Sequence, residues 1–318
     1  MLLEDLPHWF VVLTAVTLGL NIGSFLNVVI YRLPLGMSLA HPGSQCPACD
    51  TPIPFYNNIP VLSWILLRGR ASCCDVSISP RYPLIELIGG LMAWAIIVAR
   101  IEPHAETLYL GEATLLFCLY LALGLGLVAA AAIDFEHMIL PDSLTWGGAA
   151  LGFFSSPFRP ELDPPMDIVG ALVGYFGIWL PFIWAHTKLR GFPGMGLGDA
   201  KLMALAGAWF GPWGVLFTLY AGAMQGTVFA GISWLTRGKL EEPTAVREQR
   251  EELLQAISEA TGQEKVDLQK ELDDDPLGRP PEESPARIAF GPFLALALIE
   301  LMLFYEVVDA WLSSHLYF

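Results

Sequence analysis

The fold is decided by residues 110–133, which read LGEATLLFCLYLALGLGLVAAAAI and carry one charged side chain, Glu112. This run exceeds the roughly 20 residues that an α-helix needs to cross a hydrocarbon core about 30 Å thick. Because lipid offers no partners to backbone N–H and C=O groups, a lipid-exposed segment has to satisfy them internally. The sequence therefore predicts a membrane-spanning helix at this place.

Comparable apolar runs lie on both sides of this segment. Together they predict eight spans, at about 9–31, 83–101, 110–133, 143–157, 166–187, 199–211, 213–236 and 288–313. Gly211-Pro212 separates the sixth span from the seventh, because proline disrupts a helix interior. The 318-residue chain is 54% hydrophobic and only 15% charged, a composition that suits a bilayer better than a soluble core. We predict an all-α, polytopic membrane helix bundle of about eight transmembrane helices with a Cys-containing cytoplasmic loop.

Basic residues indicate the sidedness of this bundle. With both termini outside, every Lys and Arg except Arg100 and Arg159 falls in a segment on the inside, as the positive-inside rule expects. The first run lacks a basic n-region and a signal-peptidase site, so we predict a membrane helix there. The predicted domains are a first transmembrane helix (1–31), a cytoplasmic Cys-containing loop (32–82), a transmembrane core (83–237), an acidic cytoplasmic insert (238–287) and a last transmembrane helix (288–318).

The acidic insert and the overall charge limit the choice of partners. A formal net charge of −15 on a strongly apolar chain argues against nucleic acid and leaves membrane lipid as the expected surroundings. Within the insert, Val246, Leu253 and Ile257 follow helical spacing among charged residues. We predict a short helical hairpin, or a single helix, with a flexible return, and the simplest role for it is a solvated spacer.

Two aspartates stand at predicted membrane boundaries. Asp134 follows the third span in AAIDFEHMILPD, and Asp199 precedes the sixth in GFPGMGLGDAKL. Ionisable residues at such places are costly, which makes them candidates for function. The predicted topology puts both at the cytoplasmic ends of their helices, where they can face each other across the bundle. Alternatively, Asp199 merely caps the helix that follows it.

Two facing carboxyl groups have a specific chemistry. At ~4 Å and an effective dielectric constant of ~20, two carboxylates repel each other by about 4 kcal/mol. One carboxyl therefore keeps its proton while the other is ionised. The ionised group can take a proton from water, and the protonated one can hydrogen-bond a scissile carbonyl. Because such a pair titrates as a unit, neither aspartate is assigned as the base.

Three glycines precede the second aspartate at alternate positions: Gly194, Gly196 and Gly198. Glycine permits close backbone approach, so an extended substrate can lie against this loop with its peptide bond beside Asp199. Lys201 follows two residues later, where it can interact with an aspartate or with a lipid phosphate. These four residues are the expected site-shaping or substrate-binding residues.

Further motifs follow in order along the chain: GSFLNVVIYRLP (23–34), CPAC (46–49), NNIPVLSW (57–64), SPRYPLIEL (79–87), IDFEHMILPD (133–142), GMGLGDAKL (194–202) and FGPFLA (290–295). With them the chain resembles the type IV prepilin peptidases, bifunctional leader peptidases and N-methyltransferases of the bacterial inner membrane. The resemblance implies that Asp134 and Asp199 are the catalytic pair of a GxGD-type aspartyl peptidase, with 83–237 as its peptidase core.

The resemblance also implies a substrate and a methyl donor. The substrates are type IV prepilins or type II secretion pseudopilins, whose short basic leader is cleaved after a glycine at the cytoplasmic face. The new N-terminal amine is then methylated from S-adenosylmethionine. No S-adenosylmethionine fingerprint is visible in the sequence, so methyl transfer rests on the resemblance alone.

Two other classes of function compete with the peptidase. A proton- or ion-coupled membrane transporter also uses membrane aspartates and glycine-broken helices, but near the bilayer midplane. A non-catalytic assembly protein would use the cysteine loop and the acidic insert to dock partners.

Four of the five cysteines lie in the first loop: Cys46, Cys49, Cys73 and Cys74. Many members of the family carry two CxxC pairs there, the ligand set of a closed tetrahedral zinc site. This chain keeps the first pair, but the second reads Ala71-Ser72-Cys73-Cys74, with Cys73 displaced by two positions. Adjacent cysteines usually point in different directions, so binding of one tetrahedral ion by both Cys73 and Cys74 needs local strain. The predicted metal ligands are Cys46, Cys49, Cys73 and Cys74, and Asp75 or His41 can take the place of Cys73. The alternative is a reduced, metal-free loop.

Overall fold

The computed structural model describes residues 1–46, 48–159, 165–237, 244–274 and 288–316. Within these ranges the chain forms helices, turns and three isolated β-bridges, with no β-strand. The prediction of an all-α fold is therefore confirmed.

The helices are long where the sequence is apolar. In chain order they are α1 (His8–Arg32), α2 (Leu62–Leu66), α3 (Arg81–Ile96), α4 (Leu110–His137), α5 (Asp142–Ser155), α6 (Met166–Ile178), α7 (His186–Arg190), α8 (Leu197–Arg237), α9 (Thr244–Glu259), α10 (Gln263–Asp274) and α11 (Gly291–Leu316). A π-helical segment, Trp179–Ala185, joins α6 to α7 without a break.

Five helical stretches are long and apolar enough to cross a membrane. They are His8–Arg32, Arg81–His104, Leu110–His137, Met166–Arg190 and Leu197–Thr236. The last covers two predicted spans and bends at Gly211, whose φ of 66° is not helical, just before Pro212. The predicted spans at 143–157 and 288–313 correspond to α5 and α11. Since α5 has only 14 residues, about 21 Å of helix, a total of eight crossings stays a prediction.

The chain divides into two compact units, and the first comprises Met1–Ala129 and Ile299–Phe318. Helices α1 and α3 pack closely there, because small residues face each other. A Cβ at Gly19 would overlap the carbonyl oxygen of Gly89 and lie 2.6 Å from the Cβ of Ala93. Such contacts are typical of helix packing in membranes, where small residues let backbones approach.

The second unit, Ala130–Leu298, contains both candidate aspartates. Helix α6 packs against the first half of α8 through glycines, since a Cβ at Gly174 would overlap the carbonyl oxygen of Met203. Buried Arg159 donates hydrogen bonds to the carbonyl oxygens of Ala208 (3.2 Å) and Trp209 (2.5 Å), just before the bend at Gly211. These contacts hold the middle and the end of the first half of α8, and Asp199 lies in its first turn.

The acidic insert contains a helical hairpin in which α9 and α10 contact each other. Gly262, at a φ of 64°, lies in the turn between them, and Ile257 is buried. This confirms the predicted hairpin, while most of the predicted flexible return, 275–287, lies outside the described residues.

Candidate active site

Asp134 lies in the last turn of α4 and is only 6% exposed. The backbone N–H of Gly291, the first residue of α11, is hydrogen-bonded to its carboxylate. A Cβ at Gly291 would lie 2.5 Å from the Asp134 Oδ2. Any residue other than glycine would therefore force the backbone or the carboxylate to move. Gly291 is a residue of the site that our sequence analysis missed.

Asp199 is the third residue of α8 and is 8% exposed. Its Oδ2 accepts a hydrogen bond of 3.1 Å from the backbone N–H of Gly196, which precedes the helix. An acidic side chain that reaches back in this way satisfies a donor at the helix N-terminus. Asp199 therefore contributes to capping from the third position of the helix and is not itself the N-cap residue.

The structure brings the two aspartates together. Their carboxyl groups interact electrostatically, and buried Leu140 packs between the backbone segments that hold them. A Cβ at Gly198 would lie 2.9 Å from the Leu140 Cβ, and one at Gly291 would lie 3.1 Å from the Leu140 Cδ1. Two carboxyl groups thus share one buried place, each held by a glycine N–H.

The glycine loop before Asp199 is fastened to the end of the preceding helix. The backbone N–H of Gly194 donates to the carbonyl oxygen of Phe182 in the π-helical segment, at 2.7 Å. The Nδ1 of His186 bonds the carbonyl oxygen of Phe192, also at 2.7 Å. Gly191 adopts a φ of 82°, where side chains rarely fit. The contacts made by His186 were not foreseen, since no motif includes this residue.

Lys201 forms an ion pair with Asp142, the first residue of α5. Of its two predicted partners, an aspartate and a lipid phosphate, the structure contains the aspartate. The lysine side chain is only 16% exposed, and the pair connects the N-terminus of α5 to the first turn of α8. It thereby braces the turn that carries Asp199.

The four loop cysteines form one cluster, in which the sulfur atoms all lie within 4.8 Å of one another. The Sγ–Sγ distances are 3.5 Å for Cys46 and Cys74, 3.4 Å for Cys49 and Cys73, and 3.8 Å for Cys73 and Cys74. A tetrahedral ion with Zn–S bonds of about 2.3 Å requires sulfur separations of about 3.8 Å. The cluster therefore fits such an ion, and the adjacent residues Cys73 and Cys74 both contribute a sulfur atom to the cluster.

A repeated turn explains how the displaced cysteine reaches the cluster. In the first turn, the N–H of Cys46 donates to Thr51 and the N–H of Asp50 donates back to Cys46. The second turn has the same pattern, because the N–H of Ala71 donates to the carbonyl oxygen of Val76 and the N–H of Asp75 donates to the carbonyl oxygen of Ala71.

By this correspondence Ala71 occupies the place of Cys46, and Cys74 occupies that of Cys49. Cys73 supplies the fourth sulfur from inside the second turn. The other proposed ligand from this turn, Asp75, instead bonds Arg70 at 2.7 Å.

Hydrogen bonds within the cluster distribute its protons unevenly. Those with Thr51 lower the pKa of the Cys49 thiol to about 6. The hydrogen bond with Cys49 raises the pKa of the Cys73 thiol to about 12. In a metal-free cluster, these pKa values leave Cys49 ionised and Cys73 protonated at neutral pH.

Comparisons with known proteins match most of the chain. A family described as "Bacterial Peptidase A24 N-terminal domain" matches residues 17–100, and one described as "Type IV leader peptidase family" matches residues 121–231. The first match contains the four clustered cysteines, and the second contains both aspartates.

Curated relatives are named prepilin leader peptidase/N-methyltransferase. The protein of Stutzerimonas stutzeri is 38% identical over 68% of this chain and 80% of its own length. That of Dickeya chrysanthemi is 38% identical over 73% and 87%, and that of Burkholderia pseudomallei (strain K96243) is 37% identical over 75% and 82%. No solved structure gives a significant match.

Proposed function

Because the chain belongs to the type IV leader peptidase family, we propose that it removes leader peptides from type IV prepilins or type II secretion pseudopilins with Asp134 and Asp199. The observation that carries the assignment is the meeting of two buried carboxyl groups, each held by a glycine N–H. The relatives' names supply the substrate class, and the buried pair supplies a chemistry able to hydrolyse a peptide bond.

The proposed mechanism divides the chemistry between an ionised and a protonated carboxyl group. Because two neighbouring carboxylates repel each other, we expect the pair to share one proton. The ionised group takes a proton from a water molecule, and the water oxygen adds to the carbonyl carbon of the scissile bond. The protonated group hydrogen-bonds the carbonyl oxygen. The C–N bond then breaks, and the leaving amine takes up the proton that the carboxyl group had accepted from the water molecule.

The surrounding residues have positioning roles in this proposal. The N–H groups of Gly291 and Gly196 orient the carboxylates of Asp134 and Asp199, and charge-assisted hydrogen bonds of this kind are the stronger ones. Gly194 and Gly198 shape the loop against which the extended substrate lies. Lys201 acts through its ion pair with Asp142 by fixing the first turn of α8.

Asparagine variants test the two aspartates. Asparagine keeps the shape of the side chain but cannot act as a general acid or base. Asp134→Asn and Asp199→Asn should each lower the cleavage rate of a purified prepilin by at least about a hundredfold. Asp167→Asn is the matched control, since Asp167 is also buried but its Oδ1 bonds only the neighbouring backbone N–H of Ile168. Normal cleavage by either Asp134→Asn or Asp199→Asn would contradict the assignment.

We also propose that the cysteine cluster holds zinc through Cys46, Cys49, Cys73 and Cys74. The support is the donor set and the sulfur separations. When bound, zinc supplies a structural cross-link between the two turns, and its binding free energy contributes directly to the folding of the loop.

The second part of the relatives' name suggests that methylation follows cleavage. We propose S-adenosylmethionine as the donor, which supplies a methyl group to the new N-terminal amine with release of a proton. A single incubation with prepilin and S-adenosylmethionine, followed by mass spectrometry of the product N-terminus, reports cleavage and methylation separately. An unmethylated product would refute the methyl-transfer part only.

We place the chain in the bacterial inner membrane with the aspartates facing the cytoplasm. Five apolar helices support the membrane assignment, and the distribution of Lys and Arg supports the orientation. The family match and the relatives' names do not favour the transporter alternative.

A further inference from the structure

The cysteine loop contains an apolar segment that is exposed to solvent in the isolated chain. Residues 53–67, IPFYNNIPVLSWILL, carry no charged side chain. Seven of their large apolar side chains are exposed: Ile53, Phe55, Tyr56, Ile59, Leu62, Ile65 and Leu66. Leu66 is 80% exposed and Phe55 is 86% exposed. Exposed apolar side chains grouped in this way are typical of a surface that contacts a membrane or another protein.

A hydrogen bond fixes the depth of this segment relative to the membrane helices. The backbone N–H of Val61 donates to the Oε2 of Glu86 at 2.7 Å. Glu86 lies five residues inside α3, about 7.5 Å along the axis from Arg81. On the neighbouring helix α1, Gly23 contacts Glu86 and lies nine residues, or about 13 Å, from Arg32.

These two arginines mark the membrane boundary. Arg32 ends α1 and Arg81 begins α3, and both helices are candidate spans. Long basic side chains at helix ends place their charge among lipid headgroups. Glu86 therefore lies below the headgroups, and the hydrogen bond brings Val61 to the same depth.

The backbone around Val61 is suited to such a place, because the N–H groups of its turn have partners within the protein. Val61, at a φ of 62°, is the central residue of a tight turn in which the N–H of Leu62 donates to Pro60 at 2.6 Å. The N–H of Ile59 donates to the Ser63 Oγ at 3.0 Å. Non-helical backbone at membrane depth needs internal partners of this kind.

The side chains divide between two faces. Ser63 is buried and donates to the carbonyl oxygen of Tyr56. The Nε1 of Trp64 donates to the carbonyl oxygen of Ile78 at 3.0 Å. These polar contacts hold the segment to its own loop, while the spacing of Leu62, Ile65 and Leu66 puts all three on one side of α2.

We propose that residues 55–66 insert into the acyl-chain region at the edge of the bilayer and that Glu86 tethers them there. The partner is the lipid bilayer, because the patch lies at the depth of the lipid-facing surface of α3. The exposed Arg68, directly after the segment, is suited to the phosphate groups above it. The segment would thereby fasten the cysteine loop to the membrane face.

Spin-label accessibility in nanodiscs tests the proposal on the full chain. Leu66→p-acetylphenylalanine and Leu62→p-acetylphenylalanine each accept a ketone-reactive label, which leaves the native thiols untouched. Leu91, exposed on α3, serves as the lipid reference, and Glu252, exposed on α9 of the acidic insert, serves as the water reference. The nanodiscs contain phosphatidylethanolamine and phosphatidylglycerol.

Labels at positions 62 and 66 should resemble the label at 91, with high collision rates with oxygen and low rates with nickel-EDDA. High rates with nickel-EDDA, as at Glu252, would overturn the proposal. Low rates with both reagents would also overturn it, because they would mean that protein covers the patch.

A second variant tests the tether. Glu86→Leu removes the acceptor for the Val61 N–H, and the label at position 66 should become accessible to nickel-EDDA. Glu86→Gln keeps a carbonyl oxygen at that position and should preserve the protection. Unchanged protection in Glu86→Leu would overturn the role assigned to Glu86.

Discussion

Gly291 lies so close to the Asp134 carboxylate that one added methyl group probes the geometry of the proposed catalytic pair. In Gly291→Ala, the new Cβ would begin 2.5 Å from the Asp134 Oδ2 and 3.1 Å from the Leu140 Cδ1. Ordinary contacts of carbon need about 3.5 Å, so the carboxylate or the start of α11 has to move by roughly 1 Å. The hydrogen bond from the Gly291 N–H is then lengthened or lost.

A displacement of this size has a predictable effect on rate. Misplacing a catalytic group by about 1 Å can lower the rate about a hundredfold, which is close to 3 kcal/mol of activation free energy. We expect kcat for prepilin cleavage to fall by about that factor, while KM changes much less because Gly291 does not face the substrate in the proposed mechanism.

Gly226→Ala is the matched control for this experiment. A Cβ at Gly226 would lie 3.4 Å from Phe293 and 3.5 Å from Phe290, so an alanine there meets α11 and its preceding residue at ordinary distances. Both variants are assayed with a purified prepilin, and their thermal unfolding is measured in parallel. A Gly291→Ala protein that folds and keeps kcat within about threefold of wild type would refute the geometry described for Asp134.

Three further predictions concern the glycine packing and the cysteine cluster. Gly174→Ala should lower the free energy of unfolding by about 1–3 kcal/mol in thermal denaturation, because the new Cβ would overlap the backbone of α8. The control Gly177→Ala places a Cβ with no atom within 4 Å and should not lower it, so equal effects of the two variants would contradict the packing. Cys73→Ser should reduce the zinc content of the purified protein, and adding Ala71→Cys to this variant should restore it, because the second turn then carries cysteines at the same positions as the first. A full zinc content in Cys73→Ser alone would show that Cys73 is not a ligand. In chelator-treated protein at pH 7, iodoacetamide should alkylate Cys49 before Cys73, because a pKa of about 6 leaves Cys49 ionised and a pKa of about 12 keeps Cys73 protonated. If peptide mapping shows the reverse order of alkylation, the hydrogen bonds described for the cluster are contradicted.

Local patterns in the sequence predict the features of the fold that depend on neighbouring residues. The apolar run at 110–133 predicts α4, and Gly211-Pro212 predicts the bend in α8. Both follow from backbone chemistry that acts over a few residues. The apolar run at 143–157 likewise predicts α5, which spans Asp142–Ser155.

Contacts between distant segments were not predictable in the same way. Gly291 lies in the FGPFLA motif, but its hydrogen bond to Asp134 depends on how α11 begins, which no periodicity in the sequence encodes. The choice of Asp142 as the partner of Lys201 likewise depends on the packing of α5 against α8. A pairing of this kind is visible only once the helices are in place.

The cysteine loop shows what the sequence left open at one residue. Whether the adjacent residues Cys73 and Cys74 can both reach one ion depends on the local backbone conformation, which their spacing does not determine. The second turn is not regular, since Asp75 adopts a φ of 58° and the N–H of Ala71 bonds Val76 across the turn. That curvature brings both sulfur atoms to the cluster, and the same turn at Cys46 is the signal that could have revealed it.

The most direct test of the account is whether positions 134 and 199 are neighbours in the native membrane. In membranes containing Asp134→Cys/Asp199→Cys, a short bifunctional thiol reagent should join the two introduced cysteines, as detected by mass spectrometry of the linked peptides. The pair Asp134→Cys/Asp167→Cys is the control and should give no link. Absence of the 134–199 link under conditions that label both cysteines singly would contradict the convergence of the two carboxyl groups.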